Sequence, residues 1–196
     1  QNDYPVVKAK FTKGLSDYTG DKFNYLRFDL GLIYIKTHRF GKSSMYLNAS
    51  YIDGQFPSGK GITGWGNKNA YINVPNYFQT MGIYEFLSDK AVGFFFNHNF
   101  GNILIDTQRT KPELLIYHNM AYGELEQPKN HLGIAFNTLE NGYFESGIGL
   151  KNLIRFNYMQ LIHFGFGADA FYRYGSYGFS EIADNFAFTL NFDFSF

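Results

Sequence analysis

The chain has 196 residues, with 17 Lys plus Arg against 17 Asp plus Glu, no Cys, and an aromatic share of 20% carried mainly by 23 Phe and 16 Tyr. Balanced charge without a basic stripe argues against nucleic acid as a partner, and the lack of Cys removes disulfide scaffolds and thiolate metal sites, as fits a bacterial envelope protein. The length suits one domain, 1–196, and no run of ~18 apolar residues offers a transmembrane helix.

Gln1 follows neither an initiator Met nor an apolar export segment, consistent with a removed signal peptide or with a piece of a longer protein. Tyr4 to Thr12 reads as a first strand and Gly14 to Asp21 as a turn. From Phe23 to Thr37, Leu26, Phe28, Leu30, Leu32 and Tyr34 alternate with Tyr25, Arg27, Asp29, Gly31 and Ile33. Opposite charges two residues apart mark the second set as the wet face of a strand. After a turn at His38 to Lys42, Met45, Leu47, Ala49 and Tyr51 alternate with Tyr46, Asn48 and Ser50, which completes a hairpin.

Gly54 to Asn76 then breaks the pattern with five glycines, two prolines and the single Trp, Trp65. A loop this long is expected to fold inward, cover a rim or bind something. Its Gly54–Gly61 run approaches a phosphate-binding GxxxxGK[ST] loop, but Gly61 stands where a hydroxyl must meet magnesium, and no helix signal follows.

Tyr77 to Leu87 and Ala91 to Leu104 read as strands about a Ser88–Lys90 turn, followed by Lys111 to Gly123 and a turn-rich stretch from Glu124 to Asn141. Gly142 to Leu150 sets Phe144, Ser146, Ile148 and Leu150 against Tyr143, Glu145, Gly147 and Gly149. Asn157 to Tyr174 reads as the longest strand, with His163, Gly165, Gly167, Asp169 and Arg173 facing inward. Tyr25, Tyr34, Tyr158, Tyr172 and Tyr174, near strand ends, suit an interfacial girdle. The last eleven residues place Phe186, Phe188, Leu190, Phe192, Phe194 and Phe196 on one face and small or polar residues on the other.

These patterns give an all-β fold: an antiparallel transmembrane β-barrel of the outer-membrane type, with eight or nine strands in this chain, whole or part of a larger barrel. Strands in hydrocarbon must close on themselves or on other strands, because an open edge leaves amides unsatisfied. Eight can close alone, whereas a ninth would point to a larger barrel. A soluble sandwich or lipocalin-like binder would instead expose the Phe rows as one sticky patch.

Three runs carry a likeness: Tyr4–Gly14, Phe78–Asp89 and Gly142–Leu153, most specifically Tyr84-Glu-Phe-Leu-Ser-Asp89 and Gly147-Ile-Gly-Leu-Lys-Asn152. They resemble the C-terminal barrel of a Bacteroidota outer-membrane family of unknown function whose members carry an N-terminal carboxypeptidase-regulatory-like domain. The Gly-rich strand, short turn and Tyr-rich strand before a final aromatic strand are more distantly similar to BamA/TamA-type assembly barrels. The resemblance implies an outer-membrane location, a periplasmic turn at Lys151–Phe156 and an extracellular Gly175–Ala183 loop. It implies as partners outer-membrane lipid, the barrel-assembly machinery, and other envelope proteins or the missing strands of a larger barrel. The Phe186, Phe188, Phe192, Phe194 and Phe196 face would then double as the barrel-insertion signal.

The functional expectation is a structural, transport or assembly role without catalysis or cofactor. Arg27, Asp29, Glu85, Glu145, Asp169 and Arg173 are the candidates for an inner polar network, read either as a salt-bridge plug or as a selectivity lining; a narrow eight-stranded barrel favours the plug. The five His show no metal spacing, so no metal is expected. A rival reading is a barrel-embedded hydrolase or acyltransferase acting on lipid or peptide. For it, a hairpin loop centred on Phe179 sets His163 opposite Ser195, with Asp193 on the same face.

Overall fold

The computed structural model describes residues 4–14, 23–69, 71–102, 106–107, 109–126, 135–158 and 162–195. The expected turn at Gly14 to Asp21 therefore lies largely outside the described residues, as do Leu104, His131, Gln160 and Phe196.

Eight strands form one antiparallel sheet in sequence order: β1 Val6–Lys13, β2 Tyr25–His38, β3 Gly41–Gly54, β4 Lys90–Asn102, β5 Glu113–Glu124, β6 Tyr143–Tyr158, β7 Ile162–Tyr174 and β8 Phe186–Ser195. Among the described residues helix is confined to two 3₁₀ turns, Ser58–Lys60 and Ile182–Asn185. Neighbouring strands run as hairpins throughout, and among the described residues β1 and β8 do not pair with each other. Connections at one end are 39–40, 103–112 and 159–161; those at the other, 14–24, 55–89, 125–142 and 175–185, are mostly much longer.

The period-two alternation decides the two faces. In β2, Tyr25 and Gly31 are buried while Phe28 and Leu30 are exposed; in β7, Gly165, Gly167, Asp169, Phe171 and Arg173 are buried while Phe166 and Ala168 are exposed. The inner face is covered by residues 55–89, an insert that lies on the sheet rather than in it. Trp65 packs edge-on to Phe95 of β4, and Phe78 sits 4.9 Å from both Phe95 and Tyr143 of β6. Backbone groups of Tyr71 and Asn73 bond Leu190 of β8, while Arg27 of β2 reaches the Lys60 carbonyl. A single 35-residue stretch touches β2, β4, β6 and β8 only if the sheet curls around it. Gly93 permits this approach, since a Cβ there would come within 2.7 Å of the Trp65 ring. Phe78, Phe86, Leu139 and Tyr143 are fully buried between insert and sheet.

Three sequence expectations need correction. Tyr77 to Leu87 is not a strand, so the count is eight and the insert runs beyond Asn76 to Asp89. Its backbone partners are scattered (Gly66, Asn137 and Ile62), and Asn76 and Tyr84 take left-handed φ values of 64° and 59°, which break an extended run. Lys151–Phe156 is not a turn: β6 continues to Tyr158, β7 starts at Ile162, and β6, with 16 residues, is the longest strand. Between Leu150 and Ile154 the register shifts, three residues opposing Gly167 alone, with Asn152 at φ 57°. This bulge places Lys and Asn where they mimic a turn. Tyr25 is buried against the core instead of standing in a girdle.

Candidate functional site

The inner polar residues fall into four groups, each tying the sheet to the insert. On β2, Arg27 pairs with Asp29 at 2.9 Å and donates to the Lys60 carbonyl, while Ser50 of β3 donates to Asp29 at 2.6 Å. On β6, Glu145 is fully buried and accepts from the Thr80 N–H (2.7 Å), the Thr80 hydroxyl (2.6 Å) and Asn119 Nδ2 (2.8 Å). On β7, Asp169 is 3% exposed and accepts from Asn73, Tyr117 and Asn191. Three donors replace the water that each buried carboxylate gives up, from Thr80 and Asn119 at Glu145 and from three separate elements at Asp169.

Arg173, 2% exposed, donates through Nη2 to Glu85 of the insert at 2.6 Å, and its guanidinium lies 4.9 Å from the Tyr143 ring and 4.3 Å from the Phe179 ring. Among the described residues its Nε and Nη1 have no acceptor. Two aromatic faces thus offset part of the cost of burying the charge, and one carboxylate neutralises it. All six residues expected in the network, Arg27, Asp29, Glu85, Glu145, Asp169 and Arg173, lie on the inner face or in the insert, with Glu85 supplied by the insert and not by a strand. Ser50, Asn73, Thr80, Tyr117, Asn119 and Asn191 complete it and were missed, because neutral side chains leave no charge pattern to read.

Beneath the insert lies a cavity of about 230 Å³ lined by Asn73, Tyr77, Phe95, Tyr117, Lys151 and Asn191 among others. Two further hollows, about 320 and 280 Å³, share Arg27 and Trp65.

Backbone register sets His163 opposite Ser195 and Gly165 opposite Asp193, as a hairpin centred on Phe179 requires. The side chains of His163 and Ser195 lie outside the described ones, and the Asp193 carboxylate is engaged by Lys151 at 2.9 Å. A nucleophile–base distance is instead found on the outer face, where Ser146 Oγ lies 3.0 Å from His118 Nδ1 and 3.2 Å from the Tyr174 hydroxyl. These residues come from adjacent strands β5, β6 and β7, and sequence spacing gave no sign of them. Among the described residues no carboxylate orients His118, so the dyad there lacks the third group of a nucleophilic triad. A second pair, Ser43 and His98 at 2.8 Å, is closed off by the Phe40 carbonyl. Among the described residues no group of three or more His, Asp or Glu could hold a metal ion.

The outer face is apolar and open: Phe188 is 71% exposed, Phe194 62% and Phe28 50%, joined by Phe11, Ile148, Ile154 and Phe156. Comparison of the chain with protein-family models, with curated proteins and with solved structures gave no match.

Proposed function

We propose that this chain is an outer-membrane β-barrel domain, whole or partial, with a structural, transport or assembly role in a Gram-negative, Bacteroidota-type envelope. The outer face carries the reading. Bulky apolar side chains on every strand stand exposed while Arg27 and Asp29 of β2, Glu145 of β6 and Asp169 and Arg173 of β7 turn inward, the inverse of a water-soluble sheet. The uneven connections agree, since barrels of this type pair short periplasmic turns with longer extracellular loops. By that rule the 39–40 and 159–161 ends and Ser195 are periplasmic, and the 175–185 loop is extracellular. The resemblance of the Tyr84–Asp89 and Gly147–Asn152 runs to the Bacteroidota family supports the same reading.

In this reading the insert is the plug, held by the four polar groups, and outer-membrane lipid covers the Phe rows. Partners are the barrel-assembly machinery, which would recognise the β8 face, and further strands that complete the sheet between β1 and β8. The test is reconstitution of the full chain into liposomes. Co-flotation with lipid and a heat-modifiable band on an unheated gel are expected, with conductance low while the plug is seated. A chain that stays monomeric in buffer without detergent and does not float would overturn the proposal.

A further inference from the structure

We propose that the cleft between insert residues 59–68 and the inner face of β1–β3 binds a phosphate-bearing anion. The two hollows that meet at Arg27 and Trp65 are lined by Lys8 and Lys10 of β1, Arg27 of β2 and Lys68 of the insert, with Asp29 as the single carboxylate among the described residues. Asp29 is spent on Arg27 and Ser50, and among the described residues no ion pair engages Lys8, Lys10 or Lys68. Four cations against one carboxylate leave a surplus of positive charge inside a partly enclosed space, where an anion is attracted more strongly than on an open surface.

Backbone geometry adds a second, independent feature. The wall facing Arg27 is the Gly59–Gly66 stretch, whose Gly61, Thr63 and Gly64 line the hollow. The N–H groups of Thr63 and Gly64, both half-buried, have no acceptor among the described residues, while that of Gly61 closes the 3₁₀ turn Ser58–Lys60. Unspent amides beside cationic side chains are the arrangement that cradles phosphate oxygens in anion-binding loops. The site differs from a nucleotide P-loop: a 3₁₀ turn, Ser58–Lys60, stands in place of the helix, and no hydroxyl occupies position 61. The hollows exceed the size of a bare phosphate, and Trp65 and Tyr46 offer ring surface to whatever carries it. Two sources supply that chemistry, a soluble phosphate ester and a phosphorylated lipid headgroup.

Trp65 is the only tryptophan and stands in the wall, so its fluorescence reports occupancy. The purified full chain in neutral detergent is titrated with inorganic phosphate, against chloride at equal ionic strength, and with mixed micelles of phosphatidic acid, against phosphatidylcholine. A saturable Trp65 change specific to a phosphate probe is expected; saturation by phosphate identifies a soluble source, and saturation by phosphatidic acid alone identifies a lipid one. Lys8→Gln, Lys10→Gln and Lys68→Gln each weaken affinity about two- to fivefold, as exposed ion pairs do, while Lys36→Gln, on β2 away from the cleft, leaves it unchanged. A change that never saturates with either probe, or a triple Gln variant that binds as tightly as the parent, overturns the proposal. The readout does not depend on bilayer insertion, so its failure leaves the barrel reading standing, and the reverse also holds.

Discussion

The Arg173–Glu85 pair makes an asymmetric prediction. Arg173 is 2% exposed, with two of its nitrogens already lacking an acceptor among the described residues, whereas the Glu85 side chain keeps 18% of its surface in water. Removing Glu85 strands a buried cation, and breaking a buried pair in this way costs about 3–5 kcal/mol. Removing Arg173 leaves a carboxylate that can recover part of its hydration, and a leucine in its place fills the space between Tyr143 and Phe179, so the expected cost is about 1–2 kcal/mol. Deleting both charges, with the orphaned Nε and Nη1 gone as well, should return stability close to that of the parent or above it. Urea unfolding of Glu85→Ala, Arg173→Leu and the double variant in detergent, followed by Trp65 fluorescence, gives the whole cycle. The order Glu85→Ala worse than Arg173→Leu worse than the double is required. An Arg173→Leu loss equal to or larger than that of Glu85→Ala would refute the account of the orphaned nitrogens.

Phe188→Arg separates the membrane reading from a soluble one: at mid-bilayer it costs about 2–4 kcal/mol, measured by unfolding from liposomes, whereas on a wet surface a residue 71% exposed would tolerate it. Gly149→Ala drives a Cβ into Asp169 Oδ1, so the Asp169 group must shift, with a loss of about 1–3 kcal/mol in the same urea assay. Ser195→Ala and Ser146→Ala should leave folding nearly intact, and any ester or peptide turnover by the parent should survive both; loss of turnover in one of them would establish the enzyme reading. At the Asp106–Lys111 pair, 2.9 Å apart and outside the strands, the Lys111 ammonium holds the Asp106 carboxyl below its ordinary range. Lys111→Gln should therefore move its titration upward in a carboxyl NMR experiment, without a measurable change in stability because the group is exposed.

Much of the sheet is legible from alternation. The Arg27–Asp29 spacing gives the inner face of β2, and the eleven C-terminal residues give β8 together with a register that puts His163 against Ser195. What was not legible has specific causes. Tyr77 to Leu87 has strand-like aromatics, but Phe78 and Phe86 are buried on the face of a sheet, where no ladder imposes a period of two. The bulge at 151–153 swaps a polar pair into a strand interior, which a pattern reader takes for its end. In the site, charges could be assigned to a face but not to partners: Glu85 and Arg173 are 88 residues apart, and nothing local links them.

The buried charges also explain why the insert adopts one position. Among the described residues its backbone meets the strands only through the Ile72–Leu190 bridge and single bonds at its Asp89 end, so no ladder fixes its register, and Trp65, Phe78 and Phe86 alone would tolerate a shift of one residue among aromatic neighbours. Asn73 on Asp169, Thr80 on Glu145 and Glu85 on Arg173 do not tolerate it, because each displaced latch would leave an unpaired charge in a dry site. Apolar contact supplies the attraction that seats the insert. The polar latches make every other seating costly, and the sheet must curl far enough to bring β6, β7 and β8 to the same 35 residues.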